Sequence, residues 1–504
     1  MPYALAAFLL HAATAWRYGY FRDELYFIAC SKRLAFGYVD QPPLVALAAW
    51  LSAPFGYNLI ALRLLPMIAA ALTVWLAANL ARELGGRSFA QFAAAAFAAL
   101  LPAYLLLGNT LTTTSFEPLS WTLLIYAIVR LCNSGDERYW LLAAAAFTFG
   151  MYGKYSMLLF AVSVLLALLC TPQRTVLYSK WFAGSAALSL LLLLPNIVWQ
   201  GAHGWPFVCV VIGDFEHRHA FQTGVSLEYT DFRQNALAFV TEQLVYSNPA
   251  LACVWIGGAL LTAFHVQYRR FRFLSLAFVF VLVFAIVLEA KGYYIIGVYA
   301  ALLAAGAVAI ERLVPQPAAR ALIVTPIFLL ALVTLPLALP VLPVNRLIAY
   351  TRVLHLTGQD GTPPRLIQPV YAEEFGWDGL ARSVAGVYDA LPPIVRRRTA
   401  VFADTYGDAG ALDFFGPRYG LPPAISSQNT YYLWGTRGYD GRTMIVVGAT
   451  QIERIRRLYR HVRLVTTYGN AYKWVVEGPA PIYLCTEPIA PLPQIWPELR
   501  WYGA

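Results

Sequence analysis

The chain has 504 residues, of which 59% are hydrophobic and 13% charged, with a formal net charge of +10. Soluble domains carry roughly 25% charged residues, so this composition and a mean hydropathy of +0.57 exclude an ordinary soluble protein and indicate a polytopic membrane protein. The basic excess is explained by loop topology, as shown below, and gives no reason to invoke nucleic acid.

A helix needs roughly 20 apolar residues to cross about 30 Å of hydrocarbon. About eleven runs approach that length, near 3–20, 58–81, 88–108, 118–133, 138–152, 155–171, 181–198, 249–265, 273–289, 293–310 and 321–341. The first, Met1 to Trp16, holds about 14 apolar residues, or roughly 21 Å of helix. No Lys or Arg precedes it, so a retained helix is expected rather than a cleaved signal peptide. Basic residues recur at alternate breaks, at Arg82/Arg87, Arg130/Arg138, Arg174/Lys180, Arg269/Arg270/Arg272 and Arg312/Arg320. Such clusters mark the cytoplasmic side. The opposite face then receives the loops carrying Asp23 with Glu24 and Glu117, the segment 199–234, the Glu289–Lys291 turn and the C-terminal residues.

The first of these loops is the most informative local feature. Asp23 and Glu24 sit beside Arg22 and ahead of Tyr26 and Phe27. Such acids suit a general base that takes a proton from a hydroxyl, or equally the first turn of a helix, whose dipole they complement. Leu25 to Phe36 reads as that helix, lying at the interface. Gly37-Tyr-Val-Asp-Gln-Pro-Pro-Leu44 follows, and Pro42 with Pro43 predicts a rigid non-helical turn. The stretch 235–248 mixes apolar and charged residues and reads as a helix on the membrane surface, able to wall an acceptor cavity.

Charge returns after residue 345, with Arg396, Arg397, Arg398, Asp404, Asp408, Asp413, Arg454, Arg456 and Arg457 between short apolar runs. Two domains are therefore expected, a membrane domain over 1–345 and an extracytoplasmic domain over 346–504. In the second, 399–404 and 443–448 read as buried strands and 409–419 and 450–459 as helices, giving a small α/β domain. Tyr406 to Gly410 reads as a strand-to-helix turn, and Pro479 to Pro497 as loosely structured extended chain. The six cysteines form no CxxC pair or Cys/His cluster. His217 and His219 share a face only on a strand, so a solvated loop is the preferred reading there. No metal site is expected from these residues.

The order of apolar helix, Asp23-Glu-Leu-Tyr26 and Gly37-Tyr-Val-Asp-Gln-Pro-Pro-Leu44 resembles the polyprenyl-phosphate-sugar-dependent glycosyltransferases of the GT-C superfamily, nearest the bacterial protein mannosyltransferase and lipid A aminoarabinose transferase group. Further matching segments follow in order. They are Ala61–Pro66, Leu111–Pro118, Gly153–Ser156, Leu194–Gln200 with His203–Pro206, and Lys291–Tyr294. The resemblance covers roughly residues 1–345. It implies a GT-C type helical membrane enzyme that moves a sugar, with inversion, from a polyprenyl-phosphate donor to a hydroxyl of lipid A or core, an envelope glycan, a lipid or a protein. The site lies on the outer, periplasmic side of the bacterial inner membrane. The base carries over onto Asp23, with Glu24 beside it. Glu117 stands where relatives commonly have Asp, as a ligand to a divalent metal or a hydrogen-bond partner; no cofactor is otherwise implied. Because a lipid phosphate is a stable leaving group, no general acid is needed. Arg22, Lys154 and Lys291 are the expected donor-phosphate cations. Tyr26, Tyr38, Gln41, His203, Trp205, Tyr293 and Tyr294 are the expected substrate-cavity residues, although His203–Pro206 also reads as a plain turn and the tyrosine pair as interfacial belt. A flippase or transporter of lipid-linked sugars has a similar helix count, but should show internal repeats and mid-membrane charges, which are not evident here. A non-catalytic scaffold would not need the three acids.

Overall fold

The computed structural model describes residues 2–220, 232–356, 369–448, 452–472 and 479–503. Its chain groups into two compact units, and the grouping does not follow sequence order. One unit comprises 1–16, 63–199 and 221–341; the other comprises 17–62, 200–220 and 342–504. The first acidic loop is thus grouped with the C-terminal residues.

The first unit is helical. Each of the eleven apolar runs contains a helix, but few run unbroken for a membrane's thickness. Among the described residues, Leu59–Glu83, Lys180–Ala202, Val266–Val287 and Gly292–Leu313 are long and apolar enough to cross. The pairs Ser156–Leu169 with Pro172–Tyr178 and Asn235–Tyr246 with Pro249–Phe264 pass only together, bending by 116° and 104°. Proline accounts for several breaks. Pro102 and Pro336 each open a new helix after a run has ended, since proline cannot continue the preceding hydrogen-bond ladder. The chain is a multi-pass membrane protein, and among the described residues four helices, or six with the bent pairs, meet this measure.

Small residues let these helices approach closely, as expected where lipid offers no hydrophobic drive to association. A Cβ on Gly258, in helix Pro249–Phe264, would lie 2.5 Å from the backbone nitrogen of Gly306, in helix Tyr299–Leu313. Buried Ala300, Ala301, Ala304 and Ala305 line the same helix. Trp121 stacks on Phe160 with ring centroids 4.0 Å apart. The Tyr104 hydroxyl donates to the carbonyl of Ile296 at 3.1 Å.

The second unit contains a four-stranded sheet. Its strands are β1 (Ala400–Ala403), β2 (Thr443–Val447), β3 (Tyr459–Tyr468) and β4 (Ala480–Pro488), in the order β1-β2-β4-β3. β1 and β2 are parallel, and the other pairings antiparallel. The two strands expected from sequence are β1 and β2. β4 and the helix Leu492–Leu499 correct the reading of 479–497 as loose chain: Ile482 and Cys485 of the strand, with Leu492, Ile495 and Trp496 of the helix, are buried. Prolines had obscured an otherwise apolar alternation. β3, an edge strand exposed along most of its length, was not anticipated at all, because nothing buries one of its faces.

Three further corrections concern helices. The first acidic loop forms the helix Arg22–Ser31, buried from Glu24 to Ser31 instead of lying half-exposed at an interface. Residues Tyr406–Phe415 are also a helix, with Thr405 as its cap accepting from Asp408 N at 3.1 Å. Its glycines explain the packing. A Cβ on Gly410 would lie 2.8 Å from the Leu25 carbonyl carbon, and one on Gly407 would collide with the Arg22 side chain. The backbone of Glu216–His219 is helical, within Pro206–Ala220, where a loop was expected. The stretch 235–248 lies largely in helix Phe232–Tyr246, with Leu237 and Val245 exposed and Phe239 buried.

Candidate active site

The glycine-mediated approach of Tyr406–Phe415 to Arg22–Ser31 determines what surrounds the first acid. Asp23 lies in the first turn of its helix with its side chain 27% exposed. The Tyr406 hydroxyl donates to Asp23 Oδ1 at 3.0 Å, and Arg22 Nε lies 3.5 Å from the same oxygen. Both contacts fall on one oxygen of the carboxylate, so it is anchored through Oδ1. Arg22 also reaches Glu373 Oε1 at 3.3 Å and lies over the Tyr406 ring at 5.3 Å. Its guanidinium is therefore shared between two carboxylates.

Glu24 turns the other way. Fully buried, it accepts from Phe21 N at 2.9 Å through Oε2 and so caps its own helix. Of the adjacent acids, one holds the helix start and the other stays accessible.

A second carboxylate, Asp40, completes this cluster and was not singled out by sequence. It lies half-buried in the Gly37–Pro43 turn. The Tyr26 hydroxyl donates to Asp40 Oδ1 at 2.7 Å, and Asn429 Nδ2 donates to Oδ2 at 3.1 Å. Both donors are neutral, and burial pushes the Asp40 carboxyl up to about 7, with the Asp23 charge adding to the rise and the Tyr26 and Asn429 hydrogen bonds opposing it. Asn429 adopts a left-handed φ of +49°, which Asn tolerates better than most residues; Gly503 N holds its Oδ1 at 3.1 Å. The Tyr26 hydroxyl is also 2.7 Å from Thr430 Oγ1, which accepts from Val39 N at 3.1 Å. The Tyr26 and Tyr406 rings lie against each other with centroids 4.8 Å apart. Asp40 stands inside the quoted proline motif, so its signal was present. Tyr406, Asn429 and Thr430 come from nearly 400 residues downstream and carry no local signal.

Tyr38 and Gln41 hold the turn from inside. The buried Tyr38 hydroxyl lies 3.2 Å and 3.3 Å from the carbonyls of Cys30 and Arg33, while Gln41, also buried, donates to Cys30 Sγ at 3.7 Å. His203 and Trp205 are exposed in a turn that leaves helix Lys180–Ala202, with Gly204 and Trp205 at φ +74° and +55°.

In the helical unit, Glu117 opens helix Glu117–Ser134 and Lys154 ends helix Tyr139–Gly153. Lys154 Nζ lies 3.6 Å from Glu117 Oε2 and donates to Thr114 Oγ1 at 2.9 Å. It also lies 4.0 Å from the Tyr294 ring centroid and 4.7 Å from that of Tyr293. The hydroxyl of Ser156 donates to Glu117 Oε1. Four residues expected at the site, Glu117, Lys154, Tyr293 and Tyr294, are therefore one cluster, whose ammonium is held by a carboxylate and two ring faces. Lys291 is exposed and precedes the turn Gly292–Val298. This arrangement does not fit a divalent ion at Glu117, because its carboxylate already faces an ammonium. No group of three or more His, Cys, Asp or Glu is placed to hold a metal among the described residues. A separate cavity of about 380 Å³, lined by Leu124, Trp140, Phe147, Leu158, Phe182 and Leu190 among others, is almost wholly apolar and includes none of these groups.

Comparison with known proteins agrees with this architecture. The family described as dolichyl-phosphate-mannose-protein mannosyltransferase matches residues 40–199. ArnT from Cupriavidus metallidurans in the apo state is similar over 96% of this chain and 97% of that one, with 12% identity and a TM-score of 0.61. The same protein bound to undecaprenyl phosphate gives 14% identity and 0.60 over the same shares. The archaeal oligosaccharyltransferase AglB from Archaeoglobus fulgidus, in complex with an inhibitory peptide and a dolichol-phosphate, reaches 0.49 at 12% identity over 88% of this chain and 69% of that one. No curated protein matches the chain. The helical architecture, the small C-terminal sheet and the full-length similarity give this chain the fold of ArnT from Cupriavidus metallidurans.

Proposed function

We propose that this chain is an inverting glycosyltransferase that moves a sugar from a polyprenyl-phosphate donor to a hydroxyl acceptor on the extracytoplasmic face of a bacterial inner membrane. The observation that carries the reading is Asp23, a partly exposed carboxylate anchored through one oxygen by Tyr406 and Arg22. Its other oxygen takes the proton of the acceptor hydroxyl as that oxygen attacks the anomeric carbon. The bond from that carbon to the phosphate oxygen breaks, the polyprenyl phosphate departs with the electron pair, and configuration inverts.

The family match over 40–199 and the fold shared with a protein seen bound to undecaprenyl phosphate support a donor of this class. Lys154 and Lys291 are the proposed phosphate cations. Arg22 is a weaker candidate for that task, since Asp23 and Glu373 already share its charge. Tyr293 and Tyr294, which hold Lys154 on their ring faces, are the proposed donor-side aromatic contacts. The proposed acceptor class is a hydroxyl-bearing glycan, lipid or protein, and residues 346–504 are proposed as an extracytoplasmic domain. The test is transfer of labelled sugar from polyprenyl-phosphate donors in membranes carrying wild type or Asp23→Asn. Transfer should be lost with the protein still folded. Equal transfer in both would overturn the base assignment, and loss-free movement of donor across the bilayer would favour the flippase reading.

A further inference from the structure

Asp40 has no part in the proposed chemistry, and each of its oxygens accepts from a neutral donor. Its contacts nevertheless lead to the base. The hydroxyl of Tyr26 donates to Asp40, the Tyr26 ring lies against Tyr406 at 4.8 Å, and the Tyr406 hydroxyl donates to Asp23. Asn429 and Thr430 close the arrangement from the other side.

We propose that Asp40 is a positioning residue for Asp23, acting through the Tyr26–Tyr406 ring pair, and that its protonation state decides which partner the Tyr26 hydroxyl donates to. This inference rests on the reading of Asp23 as the base. The hydrogen bonds permit two states. With Asp40 ionised, Tyr26 gives its single proton to Asp40 Oδ1. With Asp40 protonated, the carboxyl donates to the Tyr26 oxygen and Tyr26 donates instead to Thr430 Oγ1, which is equally near at 2.7 Å. Neither state leaves the Tyr26 proton unused, so the switch costs no lost hydrogen bond there. The groups that act on Asp40 electrostatically or by hydrogen bond are Asp23, Tyr26 and Cys30 from the first helix, Tyr406 from helix Tyr406–Phe415, and the neutral Asn429 amide. Burial pushes the Asp40 carboxyl up to about 7.

Two measurements test this. In proteoliposomes with undecaprenyl-phosphate mannose as the donor probe, turnover is followed from pH 5.5 to 9 for wild type, Asp40→Asn, Tyr26→Phe and Asp23→Asn. Asp40→Asn should lower kcat roughly tenfold with the donor KM unchanged, and should remove an inflection near pH 7; Tyr26→Phe should act in the same direction. Independently of turnover, thermal unfolding of the full chain is followed against pH for wild type, Asp40→Asn, Tyr406→Phe and the double variant. The wild-type dependence near pH 7 should vanish in Asp40→Asn, and the two substitutions should be non-additive. An unchanged pH course in Asp40→Asn, or strict additivity with Tyr406→Phe, overturns the proposal; if Asp40→Asn does not fold, Tyr26→Phe is read in its place. An active Asp23→Asn sinks the base assignment, whereas an inactive Asp23→Asn beside a wild-type pH course in Asp40→Asn sinks this inference alone.

Discussion

Asp23 and Glu117 each lie in the first turn of a helix, Arg22–Ser31 and Glu117–Ser134 respectively, and their surroundings give them different capabilities. Asp23 is partly exposed and held through one oxygen, chiefly by a tyrosine hydroxyl. Glu117 is 2% exposed and faces Lys154, which two tyrosine rings cover. Both carboxylates face a cation, but Asp23 keeps a partly exposed side chain beside Tyr406 and Arg22, whereas Glu117 is enclosed with the ammonium it faces. A carboxylate in the first turn of a helix is thus a candidate base in one region and a fixed electrostatic element in the other.

The sharpest way to break that contrast is Asp23→Asn. A lost general base lowers turnover by about 10²- to 10⁴-fold, so label transfer should fall by that amount while thermal unfolding changes little. The converse should hold for Glu117→Gln, which leaves Lys154 buried without its carboxylate. Breaking such a pair costs about 3–5 kcal/mol, measurable as a lowered unfolding temperature in detergent, and Glu117→Gln combined with Lys154→Met should recover much of it. If Glu117→Gln were fully stable and Asp23→Asn unfolded, the roles drawn here would be reversed.

Smaller effects sharpen the acid cluster. Gly410→Ala places a Cβ 2.8 Å from the Leu25 carbonyl carbon, an overpacking expected to cost about 1–3 kcal/mol and to loosen the Tyr406–Asp23 hydrogen bond. Unfolding temperature and transfer rate should therefore fall together. A further effect, confined to a pH window, is the stability of Asp40→Asn against pH. The Asp40 carboxyl is raised from its ordinary 3.8 to about 7, so between those values the folded state holds a proton that the unfolded state has released. Stability then declines as pH rises through this window and levels off above about 7. Asp40→Asn should match wild type near pH 4 and exceed it progressively up to neutrality, as read by thermal unfolding.

Part of this was legible in the chain. Each of the eleven apolar runs holds a helix, and the sheet lies within the charge-richer residues after 345. The motif around Asp23 and the Gly153-Lys154 break were visible because each interrupts apolar sequence with a group that is expensive to bury. By contrast, β3 and the fate of Pro479–Pro497 were hidden, since an exposed edge strand has no buried face to pattern and prolines mask the alternation in β4.

What the sequence determined by itself was the class of molecule, the order of its apolar segments and the short motifs that point to GT-C chemistry, because these depend on composition and near-neighbour spacing. Only the tertiary structure decided that Glu24 caps its helix while Asp23 stays open, that Asp40 joins it, and that Glu117, Lys154, Tyr293 and Tyr294 form one cluster. The reason is reach. Tyr406, Asn429 and Thr430 lie nearly 400 residues from the loop they hold, and they meet it because Gly407 and Gly410 let one helix backbone approach another.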